Sequence, residues 1–355
     1  MRPVEYVQYG KTGLKVSRLG LGCMRLPTDE KDAIEMIRYA IDNGINYLDT
    51  AYTYKDSEVI TGRALREGYR NKIHLATKSP IRKIERYEDF EKYLDEELKR
   101  LGTDYIDVYL LHGLGLFGNW AKVKKYDGLA FLDRMIQKGK IRHIAFSAHS
   151  SLQTFKEIVD SFDWEMAQIQ LNILGEEQQV GVEGLKYAAD KGIATVVMEP
   201  LRGGSLLINV PSEVNELIKS YPEQRSLVEW CFRWLKDNLR IFEHAEHNTM
   251  SEEDLNLIVK IREAFESIKS IGCTGCKYCM PCPQGVKIPE IFKVYNSYQR
   301  MKPKVVDKLV YQSIMIPSGA AADQCVSCGL CEQQCPQGLP IPDLLKKVHE
   351  EFTES

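Results

Sequence analysis

Eight of the ten cysteines fall in the last quarter of the 355-residue chain, in two bursts. The first is Cys273, Cys276, Cys279 and Cys282; the second is Cys325, Cys328, Cys331 and Cys335; each ends in Cys-Pro. The second reads C-x2-C-x2-C-x3-C-P, a spacing that holds [4Fe-4S] cubes, and the first is one residue shorter before its last cysteine. Three closely spaced thiolates cover three corners of a cube, so the fourth ligand must come from farther along the chain. Where such runs are paired, the cysteine before proline serves the other cluster. The expected sets are therefore Cys273, Cys276, Cys279 with Cys335, and Cys325, Cys328, Cys331 with Cys282. Zinc sites show two Cys pairs across a gap rather than triplets closed by Cys-Pro. Disulfide frameworks suit short secreted chains, whereas Met1-Arg2-Pro3-Val4-Glu5 opens no apolar leader and no run is long enough for a membrane span. A cytoplasmic setting with reduced thiols is the expectation. Cys23 and Cys231 stand alone in apolar surroundings and read as small buried hydrophobes.

Ahead of the cysteines, short apolar runs alternate with helix-period stretches. Strands are expected at Leu19–Cys23, Asn46–Thr50, Ile73–Lys78, Asp107–His112, His143–Ser147, Met166–Asn172 and Ala194–Glu199. Helices are expected at Glu30–Asn43, Glu58–Glu67, Tyr87–Leu101, Gly128–Lys138, Ser151–Ser161, Val182–Lys191 and Ser226–Lys236, several closed by glycine. Seven such units predict a (β/α)8 TIM barrel whose eighth unit is degenerate, offering only Leu239–Phe242 as a strand. Ser251 with Asp254 predicts a capped helix to about Ser267. The tail, with helices expected at Ile288–Gln299 and Val305–Ile314, reads as a small, mainly α-helical ferredoxin-like domain. It repeats Cys-Pro-Gln-Gly-Val-Lys-Ile-Pro (282–289) as Cys-Pro-Gln-Gly-Leu-Pro-Ile-Pro (335–342), as two similar halves would. The expected domains are 1–268 and 269–355.

Active sites of β/α barrels lie at the carboxyl ends of the strands. Asp49, Lys78 and His112 end the second, third and fourth strands, and Tyr54 follows Asp49 by five residues. Reducing a carbonyl needs a hydride and a proton. A tyrosine is a poor acid at neutral pH until a neighbouring ammonium lowers its pKa, and a carboxylate keeps that ammonium charged. A histidine can hydrogen-bond and orient the carbonyl oxygen. The expected roles are Tyr54 as acid, Lys78 as its tuner, Asp49 as the lysine's partner and His112 as the orienting donor.

With these four residues the chain resembles the aldo-keto reductase family. The resemblance extends to Ser57-Glu58, Gly62-Arg63-Ala64-Leu65, Gly139-Lys140-Ile141-Arg142 before Ala145-Phe146-Ser147, and Met198-Glu199-Pro200-Leu201-Arg202-Gly203-Gly204. It covers roughly residues 4 to 240, and with the tail it is similar to a ferredoxin-fused branch of that family. It implies that Ser147 and Gln168 bind a nicotinamide carboxamide, that Asn172 lines the same wall, and that Pro200, Leu201, Arg202, Gly203 and Gly204 cover a pyrophosphate. Two departures stand out. Ala148 follows Ser147 where many of the family carry asparagine. Between Leu239 and Lys260 there is no Gly-x-Ser/Thr phosphate loop and no Glu-Asn pair, and Glu252-Glu253-Asp254 would repel a phosphate. Either NADP(H) binds loosely, or NAD(H) replaces it, or the barrel uses no dinucleotide.

The expected protein is thus an iron-sulfur oxidoreductase that interconverts a small-molecule carbonyl and an alcohol. Its electrons come from NAD(P)H, from a ferredoxin-like partner through the clusters, or from both. Hydride carries two electrons and each cube one, which calls for a splitter; no flavin fingerprint is recognisable, and a flavin is left open. The rival is an electron-transfer or partner-binding subunit whose barrel no longer uses a dinucleotide. Charges are balanced, 47 Lys+Arg against 50 Asp+Glu, so no nucleic-acid surface is expected. Glu243, His244, Glu246 and His247, and Lys122–Lys125 beside Trp120, read as solvated groups; Leu114–Trp120 reads as a loop over the site.

Overall fold

The structure, a computed structural model, describes residues 4–116, 118–177, 179–208, 210–239, 250–268, 270–300 and 305–353. The chain divides into two compact units. The first takes in Met1–Ile169 and Gln179–Val197, the second Gln170–Gln178 and Met198–Ser355.

In the first unit, β1 (Tyr6–Gln8) and β2 (Lys15–Ser17) form an antiparallel hairpin that the apolar pattern did not reveal. One curled sheet then runs in chain order through β3 (Leu21–Gly22), β4 (Tyr47–Asp49), β5 (His74–Ser79), β6 (Ile106–Leu114), β7 (Ile141–Ala148), β8 (Met166–Gln170) and β9 (Ala194–Met198). The pairs from β3 to β8 are parallel. The connections carry α1 (Glu30–Asp42), α2 (Ser57–Ala64), α3 (Glu88–Leu101), α4 (Asn119–Lys125), α5 (Gly128–Gln137), α6 (Leu152–Asp160) and α7 (Gly181–Asp190). This is the sheet-and-helix order of a TIM barrel. Seven of its strands lie among the described residues. Leu239 ends a helix, and the rest of the expected eighth strand, with the His244 and His247 group, lies outside the described residues.

Side chains alternate between strand faces. Tyr47, Ala76, Val108, Leu110, Ala145, Met166 and Ala194, with Tyr9 and Val16 of the hairpin, make one buried cluster inside the sheet. Tyr9 donates to the Tyr47 hydroxyl at 3.1 Å. Two residues onward, on the same face, come Asp49, Lys78, His112, Ser147 and Gln168. The interior is therefore a packed floor of apolar residues with a polar layer above it.

Outside the barrel, Asp107 ties three strands together. It accepts from the Leu75 amide at 3.0 Å and pairs with Arg70 at 2.7 Å and Arg142 at 3.2 Å. Gly62 lets α2 touch the end of α3: a Cβ there would lie 2.5 Å from the Arg100 carbonyl oxygen.

The second unit holds α8 (Ser212–Ser220), α9 (Leu227–Leu239), α10 (Glu252–Glu266), α11 (Ile288–Arg300), α12 (Val305–Val310) and α13 (Ile341–Thr353). Ser251 and Asp254 close the expected capping box on α10. The repeated motif acts twice in the same way. In each copy Cys-Pro-Gln-Gly makes a turn, with Gly285 donating to the Cys282 carbonyl and Gly338 to that of Cys335. A 13-residue helix follows, with proline in its first turn, where no amide is missed. Ile291, Phe292, Tyr295, Leu345, Val348 and Phe352 pack between the two helices, and Cys273, Cys279, Cys282, Cys325, Cys331 and Cys335 border this core.

Candidate active site and cluster cysteines

Strand register places the first group of side chains. Asp49 pairs with Ala76 and Lys78 with Leu110, so Lys78 stands one interior step beyond Asp49 and reaches back to it. Its ammonium is bonded to both carboxylate oxygens, at 2.6 and 2.7 Å, and to the Thr50 carbonyl at 2.7 Å. Lys78 is 1% exposed. A buried ammonium needs its donors satisfied, and these three bonds satisfy them. Lys78 Nζ lies 5.0 Å from the centroid of the Tyr54 ring, which meets the His112 ring edge-to-face at 5.7 Å. Asp49, Tyr54, Lys78 and His112 therefore form one cluster. His112 is held well below the ordinary imidazole range, first by desolvation, then by the Lys78 ammonium and His149. It is a neutral imidazole.

Sequence reasoning missed the residue that fixes the His112 backbone. Asn119, at the start of α4, donates to the carbonyls of His112 and Gly113, both at 3.1 Å. It lies inside the stretch read as a loop over the site, and its signal was the glycine-rich run that precedes it. Glu58 was also passed over. It is buried, accepts from Thr77 at 2.7 Å and Arg100 at 3.2 Å, and braces β5 from outside the site.

Ser147 and Gln168 are neighbours across β7 and β8. Ser147 Oγ accepts from the Gly113 amide at 2.9 Å. Gln168 donates to Asp49 Oδ2 at 3.2 Å, while its Oε1 is buried with no partner among the described residues. That orphaned carbonyl oxygen fits an incoming amide donor such as a nicotinamide carboxamide.

The other expected cofactor residues belong to the second unit. Asn172 is buried and its side-chain oxygen accepts from the Leu174 amide at 3.1 Å, shaping the turn after β8. In the loop after β9, Gly203 (φ 66°) and Gly204 (φ 91°) take the left-handed conformation glycine allows, and the Gly204 amide donates to the Leu201 carbonyl at 2.9 Å. The Arg202 guanidinium bonds the Gly272 carbonyl at 3.0 Å.

Burial pushes Cys273 up to about 11 and Cys279 up to about 12; Cys276 and Cys335 act on both as neighbouring charges. Cys331 is pushed up to about 11, with Cys325 and Cys282 as its neighbours. A cavity of about 250 Å³ is lined by Cys279, Cys282, Cys325, Cys328 and Cys331. Thiols gathered at a cavity are the donors an iron-sulfur cube requires. Among the described residues no three His, Cys, Asp or Glu side chains converge as a single-ion site would need. Cys23 and Cys231 are buried and apart from both groups.

Comparison with known proteins follows the same division. Residues 18–257 match the model of the Aldo/keto reductase family, and residues 272–339 that of a 4Fe-4S dicluster domain. The chain is 33% identical over 223 residues to "Aldo-keto reductase YhdN" of Bacillus subtilis, covering 57% of this chain and 64% of that protein. It is 31% identical over 230 residues to "Uncharacterized oxidoreductase YrpG" of the same organism, covering 57% of this chain and 68% of that protein. It thus spans about two-thirds of these relatives' length, just under that for the first. Among solved structures, an aldo-keto reductase of Bacillus halodurans in its holo form shares 26% identity at a TM-score of 0.57. That match covers 74% of this chain and 97% of the other.

Proposed function

The chain belongs to the aldo/keto reductase family and carries a 4Fe-4S dicluster domain, and from that premise we propose that it is an oxidoreductase interconverting a carbonyl and an alcohol. The observation that carries the proposal is the Lys78 ammonium, buried, clamped by Asp49 and facing the Tyr54 ring. Residues 1–268 are the reductase portion and 269–355 the ferredoxin-like portion.

Reduction adds a hydride to the carbonyl carbon and a proton to its oxygen. A nicotinamide dinucleotide, when bound, would supply the hydride; Ser147 and Gln168 would hold its carboxamide, Asn172 would line the wall, and the Pro200–Gly204 loop would hold the pyrophosphate. Tyr54 gives its hydroxyl proton to the substrate oxygen. The Lys78 side chain stabilises the phenolate left behind, and Asp49 holds Lys78 in place. Neutral His112 donates an N–H to the carbonyl oxygen and fixes its direction. In the other portion, Cys273, Cys276, Cys279 and Cys335 would hold one [4Fe-4S] cluster, and Cys282, Cys325, Cys328 and Cys331 the other. Clusters held there would supply single-electron exchange with a ferredoxin-like partner.

The test is an anaerobic titration with NADPH and NADH, followed by cluster absorbance and EPR, alongside turnover of a carbonyl panel. Tyr54→Phe is expected to cut carbonyl reduction by about 100- to 10,000-fold while both clusters stay in place. Unchanged turnover would remove Tyr54 from the mechanism. Silence toward both dinucleotides, with clusters still reducible by dithionite, would favour an electron-transfer subunit instead.

A further inference from the structure

The loop that follows β9 is built against the first cysteine group. Arg202 Nη2 donates to the carbonyl of Gly272, the residue before Cys273, at 3.0 Å. A Cβ on Gly272 would lie 3.0 Å from the same nitrogen, so the side-chain-free position is what admits the guanidinium. On the other side of the loop, Glu199 accepts from Gln170 at 2.6 Å and from Gln337 at 3.4 Å; Gln170 in turn donates to Gln337 at 3.2 Å. Gln337 stands two residues after Cys335. Glu199 (φ 55°) and Arg202 (φ 49°) both hold left-handed backbone that L-residues avoid, in a short loop whose side chains reach the segments just before Cys273 and just after Cys335. Burial, offset by Glu199 and Cys273, holds the guanidinium below its ordinary range. Cys276 is raised first by burial and then, among charges, by Glu199.

We propose that Arg202 and Glu199 set the reduction potential of the cluster held by Cys273, Cys276, Cys279 and Cys335, Arg202 raising it and Glu199 lowering it. This rests on the ligand set assigned above. Taking up one electron makes a cube more negative by one charge. A fixed guanidinium beside it stabilises that form and a fixed carboxylate opposes it, because net charge near the cluster is one determinant of its potential. The Gln170–Glu199–Gln337 bonds hold the carboxylate in place, and the Gly272 bond holds the guanidinium. The other cluster has no part in this arrangement and serves as the internal reference.

The experiment is a mediated potentiometric titration of the full-length, cluster-loaded protein followed by EPR, with iron quantified in every variant. The signal that Cys276→Ser alters marks the first cluster. Arg202→Gln should lower the reduced-to-oxidised ratio of that cluster about tenfold at a fixed potential, about 59 mV for a one-electron couple. Arg202→Lys should stay near the parent value, Glu199→Gln should move the ratio upward, and the second cluster should hold its midpoint throughout. Should Arg202→Gln load poorly, the opposite shift in Glu199→Gln decides the matter. The proposal falls if both clusters are loaded and neither substitution moves a midpoint. It also falls if Arg202→Lys behaves like Arg202→Gln, which would make the Gly272 bond, and not the charge, the thing that counts. Iron short of two clusters in the parent would mean instead that the ligand assignment has failed, taking this proposal with it.

Discussion

At the scale of single residues, His112 shows how burial selects a chemical role. Its model-peptide counterpart titrates near pH 6.5, whereas in the fold desolvation, then Lys78 and His149, hold it well lower. Between those two values the unfolded chain binds a proton that the folded chain refuses. Stability therefore falls as pH drops below about 6.5 and is fully present above it. His112→Gln should flatten that decline, seen as urea midpoints that change less between about pH 5 and 8 than the parent's; parallel curves would show that another group titrates. Asp49, Lys78 and His112 were legible because barrel chemistry gathers at strand ends, a position that sequence alternation reveals. Asn119 and Gln170 were not, because a polar residue in a loop or on a buried strand announces no partner until the chain is folded.

At the scale of elements, Gly62 explains why a motif glycine sits in the middle of α2. A Cβ would come within 2.5 Å of one backbone carbonyl oxygen of α3 and 2.7 Å of the next, and backbone cannot swing aside. Gly62→Ala should cost about 1–3 kcal/mol in a chemical denaturation, despite alanine's better helix propensity. A stabilised variant would mean that α2 can slide on α3 freely. The seven strands and most of the longer helices emerged from apolar period, within a few residues of their observed ends. Those that escaped did so for local physical reasons. β1 and β2 are three residues each, too short to show alternation. α4 has seven residues, three of them lysines, and presents little apolar face. α13 carries a clear stripe at Ile341, Leu345, Val348 and Phe352, but it begins among prolines directly after the last cysteine burst. Pro342 lies in its first turn, where it costs no hydrogen bond.

At the scale of the molecule, the two kinds of core differ in what sustains them. The cluster inside the sheet is made of apolar and tyrosine side chains with no cysteine, while the core between the tail helices is bordered by cysteines. Metal binding free energy is folding free energy where ligands border a small core. Removing the iron with a chelator should therefore cost α11 and α13 their amide protection in hydrogen exchange while β4 to β7 keep theirs. Equal loss in both would show that the chain unfolds as one cooperative unit. The packed floor of the barrel has a different bearing. Tyr9 and Tyr47 belong to it with Val108, Leu110, Ala145 and Met166, and the bond between their hydroxyls ties the hairpin to β4. The hairpin is thus part of the floor on which Asp49 and Lys78 stand, not an appendage to it.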